Sequence, residues 1–600
     1  MKKTAYIAAA AMLAGISATA QTLNKEIVID REIEPAERPV TRPATLSPDV
    51  YSTPLPRISL TPWDYTRTDA VRRQTTTLEP AQYADTFALS PYRGYARLGY
   101  LPAFNLGASL GYRLINKADT KLNGWLQYDG NSYDMKSSHT LSDPKPGDKV
   151  RLSQNTFTAA LDLSHRFTAG TLNADGHFTY GSVGQPVYAD GFNQTVTDYG
   201  LNLGWTAAKS RLPWHAGFAV GAFGFDNRTE NFDALAGITH HYTVDGATDS
   251  KPAKAQHETL FSVSGGLELP IGNHAWALDL SADFQHRNAL TGLFPASLLA
   301  GNDVPLESVA MMTDKGNTLG IVRLNPYYRL DRGKFTARLG ANLDISINGN
   351  DGFTINPNAW LAFNPSQQVS LWARGTGGRV LNTLSSLFDY CPWMPSLLTH
   401  DQSTVMDVTA GINVGPVAGL TARLWGGYAK ADDWQAPARL NNMNLFTSYN
   451  TNAWHFGLAI DYQWKQFVKA SISAEGAESS GLHSYYMWRD AAKWNVTAAL
   501  TVTPISKLDV TAKWNWRSGR HGYQLTPQQF GQDEWAYYLW SADRYSLGKV
   551  NSLSVSAQYR LTDALTITAQ VDNITACRWQ LVPGIDCAPI HGLVGAALKF

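Results

Sequence analysis

The feature that most constrains this chain is a two-residue alternation that recurs from Tyr92 to the C-terminus. In "FTARLGANLDISI", Phe335, Ala337, Leu339, Ala341, Leu343 and Ile345 fall on one face, and Thr336, Arg338, Asn342, Asp344 and Ser346 on the other. "AWALDLSADF" separates Trp276, Leu278, Leu280, Ala282 and Phe284 from Asp279, Ser281 and Asp283. "LDVTAKWNW" separates Leu508, Val510, Ala512, Trp514 and Trp516 from Asp509, Thr511, Lys513 and Asn515. Period two is the signal of a strand with one apolar face. The runs span about 10–14 residues, longer than strands of soluble sheets and long enough to cross a bilayer's hydrocarbon. An apolar face outward to lipid and a polar face inward to water satisfy this pattern.

The connectors fix the architecture. Short ones read "TAGT" (Thr168–Thr171), "PIGN" (Pro270–Asn273), "DRGK" (Asp331–Lys334), "NPSQQ" (Asn364–Gln368), "WKQ" (Trp464–Gln466), "PISK" (Pro504–Lys507) and "LTDA" (Leu561–Ala564). Between them lie long ones, near 136–150, 230–256, 287–316, 376–402, 431–450, 480–492, 518–547 and 575–591. Outer-membrane barrels sort their connections in this way, with short periplasmic turns and long outer loops. A soluble sandwich has no reason to. An open sheet edge in hydrocarbon would leave N–H and C=O groups unpaired, so the sheet must close on itself. The fold class expected is all-β, a transmembrane antiparallel β-barrel of about 22 strands, an even number that returns both barrel ends to one side.

Before the barrel, "MKKTAYIAAAAMLAGISATA" has two lysines, an apolar run and small residues at Ala18 and Ala20. This is the pattern of a signal peptide over residues 1–20. No later stretch of about 18 apolar residues offers a helical anchor. Residues 21–92 hold Pro35, Pro39, Pro43, Pro48, Pro54, Pro56 and Pro62, a density that prevents regular strands and favours extended chain. They are read as a periplasmic or luminal tail, and residues 93–600 as the barrel. An exported barrel of this kind belongs in the outer membrane of a Gram-negative cell, with outer-membrane lipid as its first partner. Lys+Arg and Asp+Glu each number 50, and that balance excludes a nucleic-acid partner.

The last stretch, "VDNITACRW…LVPG…AP…HGLVGAALKF", ends on Phe600, with Val594, Ala596 and Leu598 on the same face. A terminal aromatic of this kind resembles the C-terminal signature of outer-membrane barrels. With Val571, Asn573, Ile574, Pro583, Gly584, Pro589 and Gly595, the stretch is similar to the closing hairpin of TonB-dependent receptors. That family's barrels have 22 strands and a plugged lumen. The resemblance implies a receptor that binds or passes a ligand across the outer membrane. It is qualified by the N-terminus: only about seventy proline-rich residues precede the barrel, in place of a globular plug. The whole chain looks like the plug-less, receptor-like barrels of Bacteroidetes. With them it shares a start at Leu23–Ile29, a proline-rich lead and a glycine-rich first hairpin, "YARLGYLPAFNLGASLGYRLI". The missing plug counts against TonB-driven uptake. The other reading is a non-transporting subunit of a larger outer-membrane complex, in barrel assembly or surface-protein export, with other outer-membrane proteins as partners.

Several local features bear on that choice. Glu26, Ile27, Val28, Ile29 and Asp30 resemble a TonB box, a segment captured by strand addition, or else begin the tail without function. Aromatics gather in expected outer loops: Tyr485, Tyr486 and Trp488 in one, Trp535, Tyr537, Tyr538 and Trp540 in another, and Tyr390 and Trp393 of "YCPWMP" (Tyr390–Pro395) in a third. They could stack on a ligand or anchor a partner, or belong to loop packing and the interfacial girdle. Cys577 and Cys587 share one loop, and a disulfide between them is expected at an oxidising surface. "DISINGNDG" mimics a calcium loop but lacks the closing glutamate, so Asp344–Gly352 is expected to be a hairpin turn. No H-E-x-x-H, G-x-S-x-G or phosphate loop sits in a fitting context, so neither enzyme activity nor a metal or other cofactor is expected.

Overall fold

A computed structural model describes residues 92–600 apart from 102–104, 137–146, 186–191, 209–211, 226–255, 288–317, 350–351, 394–401, 441–442, 479–491 and 531–536. The tail and its candidate coupling segment, Glu26 to Asp30, lie outside the described residues.

Of the 24 strands in one hydrogen-bonded sheet, 22 close a ring of antiparallel neighbours. The ring runs in chain order from Gly94–Leu101 to His591–Lys599, with one hairpin, His521–Phe530 and Tyr537–Ser546, left outside it. Closure joins the first strand to the last, from Tyr95 opposite Lys599 to Tyr100 opposite Val594. The Phe600 carbonyl accepts from the Arg93 and Gly94 amides at 2.7 Å, and the Phe600 amide donates to the Gly94 carbonyl at 2.9 Å. No edge is left in the wall, as hydrocarbon requires.

Turns at one end are short, and every expected short connector lies there. In "DRGK", Gly333 takes φ 55°, a left-handed conformation that a tight hairpin needs and glycine adopts without strain. Both ends of the barrel meet at this turn end. The other end, the loop end, carries the long connections. The outer face is apolar and bare: Leu98 is 56% exposed and Val594 64%. Aromatics ring the turn end, with Trp276 against Tyr328 at 5.0 Å and Phe167 against Trp205 at 5.7 Å. Phe600 joins this belt, its ring 6.2 Å from that of Tyr112. Such a belt is what a membrane interface selects.

The long connections hold more order than their sequence shows. Strands reach 22 residues, in Met443–Trp464, and the expected loop at 431–450 is a continuation of the wall hairpin. A bulge between Ala431 and Trp434, with Asp433 at φ 54°, breaks the alternation and disguises that continuation. The connection at 376–402 contains a helix, Leu384–Tyr390. The one at 575–591 contains a short hairpin, Gln580–Val582 with Ile585–Asp586. The one at 518–547 contains the extra hairpin, which pairs in parallel with Ala438–Leu440. Asp344 faces Arg323 at 2.6 Å, and the segment after it turns the chain, as the hairpin reading expects.

Candidate functional site: a capped polar lumen

Inward positions are polar over most of the wall. Thr158 and Thr179 hydroxyls meet at 3.0 Å, Asn202 donates to Asp175 at 2.7 Å, and His177 lies 3.5 Å from Asp198. On strands further round the wall, Arg329 pairs with Glu268 at 2.5 Å. Arg338 lies 3.4 Å from Asp279 and stacks 3.7 Å above the Tyr327 ring. Such a surface holds water and polar solutes.

Towards the loop end the inward face changes character. Met135, Val150, Leu152, Val183, Val196 and Phe223 all point inward and all are buried. What covers them is a cap made of two inserted connections. The first is the helix Leu384–Tyr390 with the residues that follow it. Thr383 starts this helix by accepting the Ser386 amide at 3.1 Å. Its apolar residues recur at helical spacing, so Leu384, Leu387 and Phe388 share a face. Phe388 meets Phe223 at 5.6 Å, and Cys391 and Trp393 close the cluster at 0% and 2% exposure. The second insert is the hairpin tip, whose Val582 and Ile585 enter the same core. Burial of this much apolar surface is the main force holding the cap shut.

Polar clamps root both inserts. Glu258, in the wall strand Gln256–Ile271, accepts the Leu384 amide at 2.8 Å and a hydrogen bond from Gln285. It stands opposite Arg287 in register, 3.5 Å from its Nε, and Arg287 donates to the Asn382 carbonyl at 2.5 Å. Asp344 accepts the Arg379 amide at 2.7 Å while paired to Arg323. For the hairpin, Arg520 donates to the carbonyls of Gln580 at 2.7 Å and Leu581 at 3.1 Å, and Tyr133 to that of Asp586 at 2.8 Å. Its turn is Pro583–Gly584. Gly584 takes φ 79°, a left-handed conformation that glycine adopts without strain, and lies against the Arg439 guanidinium.

Titratable groups in the cap feel its dryness. Burial pushes the Cys391 thiol up to about 12 and the Cys587 thiol up to about 11. Burial also raises the Asp586 carboxyl, against the opposing charge of Arg578. The expected Cys577–Cys587 disulfide is not formed: both thiols are free. Cys577 Sγ turns to the Lys549 carbonyl and Cys587 Sγ to the Cys577 carbonyl, each at 3.5 Å. The loop is tied instead by Asn573, whose amide donates to the carbonyls of Cys577 at 3.0 Å and Ala588 at 3.2 Å.

Of the other residues singled out in the sequence, Tyr485, Tyr486, Trp488 and Trp535 lie outside the described residues. Tyr537, Tyr538 and Trp540 sit on a strand of the outer hairpin, opposite Phe530, Gln529 and Pro527. The clamp residues Glu258 and Arg287 and the cap residues Leu384 and Leu387 escaped the sequence reading, whereas Trp393 belongs to the aromatic stretch Tyr390–Pro395 and turns into the cap core. The one available signal was the inward pair Val150 and Leu152, apolar where a water-filled lumen calls for polar side chains.

No family model matches the chain, and no curated protein matches it. Solved structures do. A mutant of the ferric enterobactin receptor PfeA from Pseudomonas aeruginosa aligns with a TM-score of 0.60 at 12% identity, over 85% of this chain and 80% of that one. The FrpB iron transporter from Neisseria meningitidis gives 0.60 at 12%, over 85% and 81%. The siderophore receptor PirA from Acinetobacter baumannii gives 0.60 at 8%, over 85% and 80%. The fold is that of a TonB-dependent receptor barrel. These neighbours are receptors and transporters, not enzymes, and theirs is an outer-membrane architecture. At such low identity the likeness is one of fold.

Proposed function

We propose that this chain is a receptor-like outer-membrane barrel that takes a ligand at its loop end and passes it through the lumen. The observation that carries this reading is the cap: a polar inner face over whose loop end two inserted connections fold inward and pack against the wall. Any barrel this wide must be filled or covered to avoid leaking, and a cover made of inserted loops at the ligand-facing mouth, rather than a wall-to-wall seal, is what a transporter that opens would use. The likeness to iron and siderophore receptors supports the same class, and the chemistry of the ligand stays open.

Three finer assignments belong to this proposal. Residues 21–92 act at the turn-end mouth in place of a globular plug, as in the plug-less Bacteroidetes-type barrels that the sequence resembles. Glu26 to Asp30 serve as the segment that an energy-coupling partner such as TonB captures by backbone pairing. The loop aromatics Tyr485, Tyr486, Trp488, Trp535, Tyr537, Tyr538 and Trp540 make first contact with the ligand or with a neighbouring outer-membrane protein.

Val28→Pro tests the coupling, because proline lacks the N–H that strand addition uses. Cells carrying the wild-type chain, Val28→Pro or no chain are grown in one defined mixture, and the solutes left in the medium are compared. The expected result is a solute consumed by wild type and left behind by both other strains, with the Val28→Pro barrel still in the membrane. Consumption by Val28→Pro equal to wild type would remove the coupling assignment. Identical media from all three would leave the barrel-subunit reading in possession.

A further inference from the structure

The inner wall carries a strip of cations beside the point where the chain enters the barrel. On Gly94–Leu101, on His591–Lys599 and on Asn105–Asn116 as far as Arg113, the odd-numbered side chains face the lumen. Leu98, Leu110 and Val594, on the alternate positions, are exposed on the lipid side. Arg113 therefore points inward at the turn end, where its amide donates to the Arg93 carbonyl at 2.8 Å. Tyr95 and Lys599 stand opposite each other in register. Arg97 stands opposite Ser109, one inward position further up. The Tyr95 ring lies against Gly111, which has no side chain to displace it.

Two groups of this strip are buried without a partner. Arg113 is 7% exposed and its Nη1 has no acceptor, and Ser109 is 6% exposed and its Oγ has no partner. The carboxylates that face the strip are engaged elsewhere. Asp162 stands two strands from Arg113 and accepts from Asn123 at 3.4 Å. Asp129 attracts Arg97 from two strands away and accepts from Gln127. Across the lumen Arg323 and Arg329 have their own carboxylates, Asp344 at 2.6 Å and Glu268 at 2.5 Å. Among the described residues no carboxylate pairs with Arg97, Arg113 or Lys599. A guanidinium taken out of water without a countercharge is costly, so the strip is suited to an anion.

We propose that residues 78–90 of this chain lie along the strip inside the mouth, with Asp85 on Arg113 and Glu79 on Arg97. Arg93 opens the first strand beside Arg113, so the tail starts at the site. Residues 74–92 hold two carboxylates, Glu79 and Asp85, and no lysine or arginine. Asp85 lies eight residues before Arg93 and Glu79 fourteen. Extended chain of those lengths spans up to about 26 and 46 Å, so each carboxylate reaches its arginine. A tethered carboxylate competes at an effective concentration in the millimolar range, which a second copy of the chain does not match. The proposal rests on the tail's role at the turn-end mouth and names what holds it there. The mouth is shut by an ion-paired segment, and a pull on the tail that breaks the two pairs opens it.

The test reads the tail directly. Ala84→Cys, beside Asp85, is placed in a background with Cys391, Cys577 and Cys587 replaced by serine. Its maleimide labelling rate is measured on the purified full chain in detergent, for variants whose gel mobility shows a folded barrel. Loss of a charge-assisted pair should raise the rate about tenfold in Arg113→Ala and in Asp85→Ala. Arg113→Asp with Asp85→Arg restores the pair in reverse and should label as slowly as the parent. Labelling of the parent as fast as that of Arg113→Ala would overturn the proposal, with two distinct meanings. If both are fast, the tail is not at the mouth at all; if both are slow, it is there but not held by the strip. A reversed pair that labels as fast as the single variants, or a parent rate that falls as protein concentration rises and so assigns the strip to a second copy's tail, would overturn it as well. Solute uptake does not enter the assay, so its failure leaves the transport reading standing.

Discussion

Removing the Glu258 carboxylate should unlatch the cap while leaving the barrel closed. Glu258 is 1% exposed and Arg287 4%, and the glutamate also accepts the Leu384 amide at 2.8 Å. In Glu258→Ala, Arg287 loses that buried countercharge and the first helical amide loses its acceptor. Breaking a buried ion pair from one side costs about 3–5 kcal/mol. The wall ladders do not depend on this pair, so the cost falls on local opening of the inserted helix. At 1.4 kcal/mol for each factor of ten, the open fraction rises by about two to three orders of magnitude. Cys391 reports it directly. The residue is 0% exposed and its thiol is pushed up to about 12, so a closed cap hides it from maleimide at neutral pH. In a Cys577→Ser, Cys587→Ser background, the labelling rate of Glu258→Ala should exceed that of the parent by the same two to three orders. Glu258→Gln, which keeps an acceptor for Leu384 and loses only the charge, should fall between them. Unchanged labelling in a folded Glu258→Ala barrel would refute the clamp and leave the apolar cluster as the sole closure.

The Asp586 carboxyl is raised by burial, so its neutral form is the one the folded hairpin favours. Its stabilisation is therefore fully present below the ordinary carboxylate value, about 4, and is lost as pH climbs through the raised value. The ratio of wild-type to Asp586→Asn labelling rates at Cys391 should be near one in acid and rise with pH; a flat ratio would contradict the assignment. Orientation is checked by a cysteine at Ser250 in a cysteine-free background. It should react with an impermeant reagent on intact cells, and labelling only after lysis would invert the barrel.

The wall was legible in the sequence because one rule governs it at every position. Phe335, Leu339 and Ile345 alternate with Arg338 and Asp344 because lipid and water lie on opposite sides of a single sheet. The short turns were legible for a similar local reason, a glycine or proline in five of the seven, with "WKQ" and "LTDA" marked only by the break in alternation. The cap was not. Its helix holds only seven residues, Leu384–Tyr390, too few for a periodic pattern to stand out. Its partners Val150, Phe223 and Ile585 come from distant parts of the chain and meet only after the barrel has closed. Glu258 and Arg287 look like any charged pair on an inward face until Leu384 is placed beside them. The closing stretch with Pro583 and Gly584 stood out as a resemblance, but the turn's insertion into the mouth depends on Arg439 and Arg520, which carry no mark in sequence. The expected disulfide failed for the same reason: two cysteines in one loop state proximity along the chain, not the direction of either sulfur.

The central claim, a polar lumen closed by inserted segments, is tested most directly by ion conductance in planar bilayers. Four forms of the full chain are compared: wild type, the cap variant Leu384→Ser with Leu387→Ser, a deletion of residues 40–75, and the two changes combined. Two polar groups placed in the apolar core should open the cap, since each unsatisfied hydroxyl there costs about 1–3 kcal/mol beyond the lost packing. The account predicts a silent wild type, raised permeability for the tail deletion, and the largest steady conductance from the combined form. An open pore in wild type, or no conductance from the combined form, would contradict it.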